Sequence, residues 1–362
     1  MSDFAQAGLI CTLQQLNDSH LPRIEEELVE LAKARPITLV LPCHADDLAA
    51  PALEHIVREL KGAAFLREII VSVNGGATTG AHHLPALFAT LPQPLRILWN
   101  VEAPGAGGKG LNVWRAFQLI CDEARSDLIV TQDCDVVSFR RGTLARLCFA
   151  CAHPQLDFQF AKMYYSRATD RLYGRVSRLF VTPLLHALTR VAGHLPLVDF
   201  LLSFRYSLAG ECALTRELAA ELPLSSGWGL EIATLCEVFR RLDPRRVCQV
   251  DGGSGYDHRH QPGATSLAAM SGEIARTLFA QLATEGIGSE PAWRETLVAA
   301  YRREAALAIS RSANLALING LPFDAAAENE MIEAFSAALA QAGATTPESA
   351  AELRMDAAVH AS

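Results

Sequence analysis

The segment LIVTQDCDVVSF (Leu128–Phe139) sets an unbroken apolar run directly ahead of two aspartates one residue apart, Asp133 and Asp135. The run is short and β-branched, which predicts a buried strand over Asp127–Gln132. In an extended chain, residues i and i+2 face the same side, so both carboxylates can address one ligand. Two such charges repel unless a cation or hydrogen-bond donors neutralise them. Mg2+ or Mn2+ suits hard oxygen ligands and keeps positions open for phosphate oxygens. The rival reading is that both aspartates simply open a turn.

Upstream the same alternation recurs. PITLVLP (Pro36–Pro42) reads as a buried strand. Asp46–Gly62 reads as a helix with Leu53, Ile56, Val57 and Leu60 on one face. EIIVSVNGG (Glu68–Gly76) and LRILWN (Leu95–Asn100) are further strands, and Leu111–Ala124 is a helix. Strand and helix at this spacing predict an α/β fold with a parallel sheet covered on both faces. Ligands of such sheets bind beyond the carboxyl ends of the strands, where Asp133 and Asp135 fall. Downstream the pattern loosens. A strand near Leu156–Met163, an apolar helical region to Phe204, a helix over Trp228–Leu242 and a strand over Arg245–Val250 precede an Ala-rich helical stretch from Ser266.

The chain has 362 residues, half of them hydrophobic and a fifth charged, which is a globular composition. A net charge of −8 argues against a nucleic-acid partner, whose phosphates require clustered Lys and Arg. The nine cysteines are scattered, and the CFAC of Cys148–Cys151 has no second pair to complete a zinc site. Reduced, buried thiols and a cytoplasmic location are expected. The N-terminus lacks a basic leader before an apolar core. No membrane span is expected either: Leu179–Leu208, the most apolar stretch, carries Arg190, Asp199 and Arg205 and is interrupted by Pro183 and Pro196. That stretch and the helical tail are consistent with a homodimer.

Four further segments carry chemistry. Gly107, Gly108 and Gly110 surround Lys109 just ahead of a helix, where backbone amides and a mobile cation can meet an anion. The spacing is neither GxxxxGK[ST] nor GxGxxG, and a flexible surface loop is the alternative. In YDHRHQP (Tyr256–Pro262), His258 and His260 share a side if extended, with Arg259 opposite. A neutral imidazole there could complete a site opened by the aspartates, although a His pair is also common without a ligand. Glu231 stands near the start of the helix after SSGWG. It either favours that helix end electrostatically or accepts hydrogen bonds from sugar hydroxyls. In YGRVSR (Tyr173–Arg178), Gly174, Arg175 and Ser177 could bind a phosphate, or merely start a helix with solvated arginines.

In order, GGKG, QDCDVV, YGRVSRLFVTPLL, LAGECALTRELAAELPLSSGWGLEI and DHRHQP resemble the glucosyl-3-phosphoglycerate synthases, retaining glycosyltransferases of GT-A fold, over roughly residues 1–285. The resemblance implies a Rossmann-like sheet with helices on both faces and a mostly helical C-terminal part. It divides the chain into a nucleotide-sugar-binding half (1–150), an acceptor-binding half (151–285) and a helical extension (286–362). It also implies that Asp133 and Asp135 meet the nucleotide and its Mg2+ or Mn2+, with Asp135 the foremost ligand and His258 another. Lys109, beside Gly108, would contact the diphosphate or donor sugar, and Glu231 the sugar hydroxyls. Asp46 or Asp47 would contact base or ribose. Gly174, Arg175, Ser177, Arg259 and His260 would hold the acceptor. The implied reaction moves glucose from UDP- or GDP-glucose to 3-phosphoglycerate by front-face attack. A related sugar such as mannose, free glycerate as acceptor, and a non-catalytic nucleotide-sugar binder are the alternatives. PCHADD and SVNGG depart from the family's usual turns after the first two strands. Ser177 replaces the common Thr, and His260 stands where some relatives have Asn.

Overall fold

The computed structural model describes residues 6, 8–75, 84–100, 108–258, 264–287, 291–344 and 352–353. Gly107, Arg259 and His260 lie outside them. In chain order the N-terminal part comprises β1 (Cys11–Leu13), α1 (Leu21–Ala34), β2 (Ile37–His44), α2 (Pro51–Leu60), β3 (Leu66–Asn74), α3 (Leu84–Phe88), β4 (Leu95–Asn100), α4 (Lys109–Glu123) and β5 (Leu128–Thr131). The middle comprises α5 (Arg141–Ala152), β6 (Phe160–Ser166), a π-helical turn over Val176–Val181, α6 (Thr182–Ala192), α7 (Pro196–Leu202), β7 (Cys212–Thr215), α8 (Arg216–Glu221), β8 (Leu224–Ser225), α9 (Leu230–Arg241) and β9 (Val247–Ser254). Three long helices follow, α10 (Ala264–Thr284), α11 (Pro291–Ile318) and α12 (Ala325–Ala344), and β10 (Glu352–Leu353) pairs antiparallel with β8.

Eight strands form one sheet in the order β1-β9-β6-β7-β5-β2-β3-β4. Every neighbouring pair is parallel except the two that β7 makes, with β5 and with β6. The central strands are buried on both faces, which is why β2 and β3 read as continuous apolar runs rather than alternating ones. Strand alternation still sorts their side chains. Leu39, Leu41, Ile69, Val71, Leu128 and Val130 join one core with α2 and α5, while Val40, Ile70 and Ile129 join the other with α4. The C-terminal helices belong to this second core. Phe180 packs against Phe335 of α12 at 5.4 Å and against Tyr301 of α11 at 5.6 Å, and the Tyr301 hydroxyl donates to Leu179 O at 2.8 Å.

Several expectations need adjustment. The helix expected from Asp46 begins at Pro51, whose ring suits a first helical position, and a single 3-10 turn over Ala45–Asp47 precedes it. The strand expected from Leu156 begins at Phe160, because Asp157 adopts a left-handed φ of 56° and turns the chain first. β1 and β7 were not anticipated. The aspartates therefore follow the fifth strand, not the fourth. No helix among the described residues is long and apolar enough to cross a membrane. All nine cysteines are free, six of them buried.

Candidate active site

Because β7 runs antiparallel, its start lies beside the ends of β5 and β6. Thr131 at the end of β5 donates to Gly210 O at 2.7 Å, and Met163 N donates to Glu211 O at 3.0 Å. The carboxyl ends of β5, β6 and β9 and the entry to β7 thus converge on one patch of the sheet edge. The aspartates stand here in a turn, with Cys134 between them packed into the core. Asp133 and Asp135 thus flank a turn, and their carboxylates still converge.

Asp133, Asp135 and His258 each offer a ligand atom within 4.8 Å of the other two, the one such group among the described residues. His258 Nδ1 lies 3.3 Å from Asp135 Oδ1. Two carboxylate oxygens and one imidazole nitrogen, all partly buried, form a donor set that suits a divalent cation. The residues therefore fit the Mg2+ or Mn2+ expected of them. The electrostatics agree. Burial opposes charge on both partners, yet the His258 hydrogen bond and the nearby Lys109 hold Asp135 below the usual carboxylate range. Asp135, Glu211 and Asp133 raise His258 above the usual imidazole value.

Lys109 opens the first turn of α4 instead of lying in the loop before it. Its Nζ is 2.6 Å from Asp133 Oδ1 and 3.1 Å from Glu231 Oε1. Burial disfavours its charge, but Asp133, Glu231 and Glu211 outweigh that and raise it well above an ordinary lysine. The glycines explain the approach. Any side-chain carbon on Gly108 or Gly110 would collide with Ser226 O or Ser225 O, and one on Gly210 would strike the Lys109 ammonium and the Asp133 carboxylate. Gly108 and Gly110 thus let α4 press against the backbone that leads into α9. That contact brings Lys109 to Glu231 in the first turn of α9.

Other expected residues stand at the margins. Asp46 and Asp47 follow β2 at the same end of the sheet. Asp46 is exposed and 3.3 Å from His44 Nδ1. Gly174 adopts a φ of 70° ahead of the π-helical turn. Ser177 Oγ is buried with no hydrogen-bond partner among the described residues. Arg175 is not simply solvated: its Nε donates to Glu328 Oε1 of α12 at 2.8 Å, and Arg178 Nη1 reaches Glu328 Oε2 at 2.5 Å. Arg178 also donates from Nε to Tyr173 O and from Nη1 to Ser312, so it is consumed by structure, whereas the terminal nitrogens of Arg175 are not committed to Glu328.

The sequence reading missed three residues here. Arg167, just past β6, lies against Gly174, and its Nε is buried with no partner among the described residues. Burial opposes its charge, but Tyr206, Tyr165 and Asp135 raise its pKa. It therefore stands beside the Gly174 segment, within electrostatic reach of Asp135. Glu211 is wholly buried beneath the cluster, and Tyr165 links it to His258. Only the position of Glu211 just ahead of an unrecognised antiparallel strand could have signalled its role.

No protein-family model matches the chain. Curated relatives do. The chain is 37% identical over 364 residues to the glucosyl-3-phosphoglycerate synthase of Persephonella marina, covering 94% of this chain and 90% of that one. It is 28% identical over 348 residues to the synthase of Methanococcoides burtonii, covering 88% and 85%. Among solved structures, the glucosyl-3-phosphoglycerate synthase of Mycobacterium tuberculosis in complex with Mn2+, uridine-diphosphate-glucose and phosphoglyceric acid superposes with a TM-score of 0.58. The identity is 25%, over 75% of this chain and 87% of that one. The GT-A sheet with its helical C-terminal part, the acidic turn and a match along almost the whole length agree, and the chain belongs to the glucosyl-3-phosphoglycerate synthase family.

Proposed function

We infer that the site transfers glucose from a nucleoside diphosphate to a hydroxyl of 3-phosphoglycerate, in a metal-dependent reaction that retains configuration. The observation that carries this reading is the meeting of Asp133, Asp135, His258, Lys109 and Glu231 at one sheet edge, in a chain that matches the P. marina synthase over 94% of its length. Asp135, His258 and Asp133 would hold Mg2+ or Mn2+, which when bound neutralises negative charge on the departing diphosphate. Lys109 is a fixed ammonium aimed at the same place, so it offsets charge that grows as the sugar–phosphate bond breaks. Glu231, tethered to Lys109, accepts hydrogen bonds from sugar hydroxyls and is not placed as a nucleophile. Asp46 and Asp47, with Gly108, border the nucleotide. The donor is UDP-glucose, a reading supported by the uridine-diphosphate-glucose in the mycobacterial synthase.

The acceptor sits between Gly174, Arg175, Ser177 and Arg167, with Arg259 and His260 contributing from outside the described residues. The unpartnered Ser177 hydroxyl and Arg167 Nε support this placement. A chain of net charge −8 binds an anionic acceptor only through such a local basic pocket. The free thiols support a cytoplasmic location. Leu307, Leu315, Leu317 and Ile318, all exposed on α11, support a homodimer.

The test is a panel of UDP-, GDP- and ADP-sugars against 3-phosphoglycerate and glycerate with Mg2+ or Mn2+, read by product NMR. The expected product is α-linked glucosyl-3-phosphoglycerate from UDP-glucose. Nucleotide-sugar binding without turnover on any acceptor would overturn the reading. Arg175→Ala should raise the KM for 3-phosphoglycerate by about 30-fold, roughly the loss of one charge-assisted hydrogen bond to phosphate, and leave the KM for donor within about twofold. Steady-state kinetics in both substrates checks it, and equal effects on both would remove Arg175 from the acceptor pocket.

A further inference from the structure

His258 faces the acidic turn with Nδ1. Its other ring nitrogen is held from behind: Nε2 lies 3.0 Å from the Tyr165 hydroxyl, which donates to Glu211 Oε2 at 3.0 Å. Glu211 is in turn fixed by the Tyr256 hydroxyl at 3.0 Å and by Gln132 Nε2 at 3.3 Å, both on Oε1. Gln132 Nε2 also donates to the Tyr256 hydroxyl at 2.8 Å. Tyr165 stacks on Tyr256 with ring centroids 3.8 Å apart. Glu211 is fully buried, and Gln132, Tyr165 and Tyr256 are buried with it. With Glu211 ionised, the donors along this chain all point toward it. Gln132 donates to Tyr256, so the Tyr256 proton goes to Glu211. The Tyr165 proton also goes to Glu211, so the Tyr165 oxygen is left to accept. Among the described residues, the donor placed to fill it is Nε2–H of His258. Nδ1 faces Asp135: it donates there when the ring carries both protons, and in the neutral ring it is bare, leaving its lone pair for a cation between the two.

We propose that Tyr165 and Glu211 are positioning residues that fix the Nε2–H tautomer of His258 and aim its Nδ1 lone pair at the divalent cation. Metal-binding histidines commonly take such support directly from a carboxylate or carbonyl. Here a tyrosine hydroxyl is interposed, and β7 exists in the right place to supply the carboxylate. The proposal rests on the reading of Asp135 and His258 as metal ligands.

Tyr165→Phe removes only the hydroxyl and keeps the ring stack, and Glu211→Gln keeps the shape and removes the charge. Binding of Mn2+ to the full-length protein, titrated by electron paramagnetic resonance without substrate, should weaken by about 10- to 100-fold in Tyr165→Phe, the usual effect of losing a partner behind a metal ligand. It should weaken in Glu211→Gln in the same sense, with melting temperature close to wild type in Tyr165→Phe. In 15N spectra, the neutral His258 ring should be the Nε2–H tautomer in the wild type and a mixture in Tyr165→Phe. His258→Ala is the control that separates the two readings. If it leaves Mn2+ affinity unchanged, the metal assignment itself falls. If it weakens Mn2+ while Tyr165→Phe changes neither affinity nor tautomer, only the positioning role falls. A wild-type ring found as Nδ1–H would overturn the proposal outright.

Discussion

Asp135→Ala should reduce Mn2+-dependent glucosyl transfer by about three orders of magnitude, the scale expected when electrostatic support for a leaving group is lost, and leave the fold intact. The reason lies in how the three acidic groups are already engaged. Asp133 is held by Lys109 at 2.6 and 2.9 Å, and Glu211 is enclosed by two tyrosines and Gln132, so neither is free to replace Asp135. Asp135 lies against the His258 imidazole at 3.3 Å, and its side chain is 28% exposed, open enough to take a ligand. Its loss leaves His258 anchored through Tyr165, so the strand ends keep their arrangement. Initial rates across a Mn2+ titration, with circular dichroism to check the fold, measure this. Full activity with an unchanged metal response would remove Asp135 from the metal site.

Much of this was legible in the sequence, for physical reasons that can be named residue by residue. Parallel strands buried on both faces leave apolar runs, so β2, β3 and β5 announce themselves, and the polar residues that stop each run mark the ligand-binding edge. The Asp133–Asp135 pair is conspicuous because charge directly after such a run needs a reason. CALT, the core of β7, was not legible. Four residues of modest β propensity ahead of the helical RELAAE carry too little pattern, and the strand is stabilised by its place between β5 and β6. Glu211, whose role depends on that place, was hidden with it.

The glycines around Lys109 show a different kind of gap. Their presence was legible and their purpose was not. The sequence offered anion binding or a mobile loop, whereas Gly108 and Gly110 are small because Ser225 and Ser226 carbonyls lie against them. Nor could local pattern reveal that Glu328, on a helix far along the chain, would share its carboxylate between Arg175 and Arg178. Such pairs are set by packing of α12 on the second core, which no local period encodes. Under the proposed acceptor placement, that ion pair would also give the C-terminal helices a bearing on acceptor binding, since it fixes one edge of the Arg175 guanidinium.

Lys109→Met should lower kcat by about 100- to 1,000-fold, in line with removal of one fixed donor to developing oxyanion charge, and should also lower the melting temperature by several degrees. Both effects come from the same geometry. The ammonium sits between Asp133 and Glu231 with Glu211 close behind, so methionine leaves three acidic groups crowded at one sheet edge without their cation. The pH dependence has a definite sign. The Lys109 pKa is raised in the folded protein above the ordinary 10.5, so its charge contributes fully to stability below that pH, and the contribution fades as pH rises beyond it. The wild type and Lys109→Met should therefore differ in melting temperature throughout the neutral range and converge only in strong alkali. Lys109→Arg restores charge but not shape, because Gly210 leaves no room beside the ammonium for a planar guanidinium. It should recover part of the stability and little of kcat. Thermal melts from neutral to alkaline pH, paired with saturating-substrate rates for the two variants, check both halves. A Lys109→Met enzyme with wild-type kcat would show that the ammonium only braces the acidic residues and takes no part in glucosyl transfer.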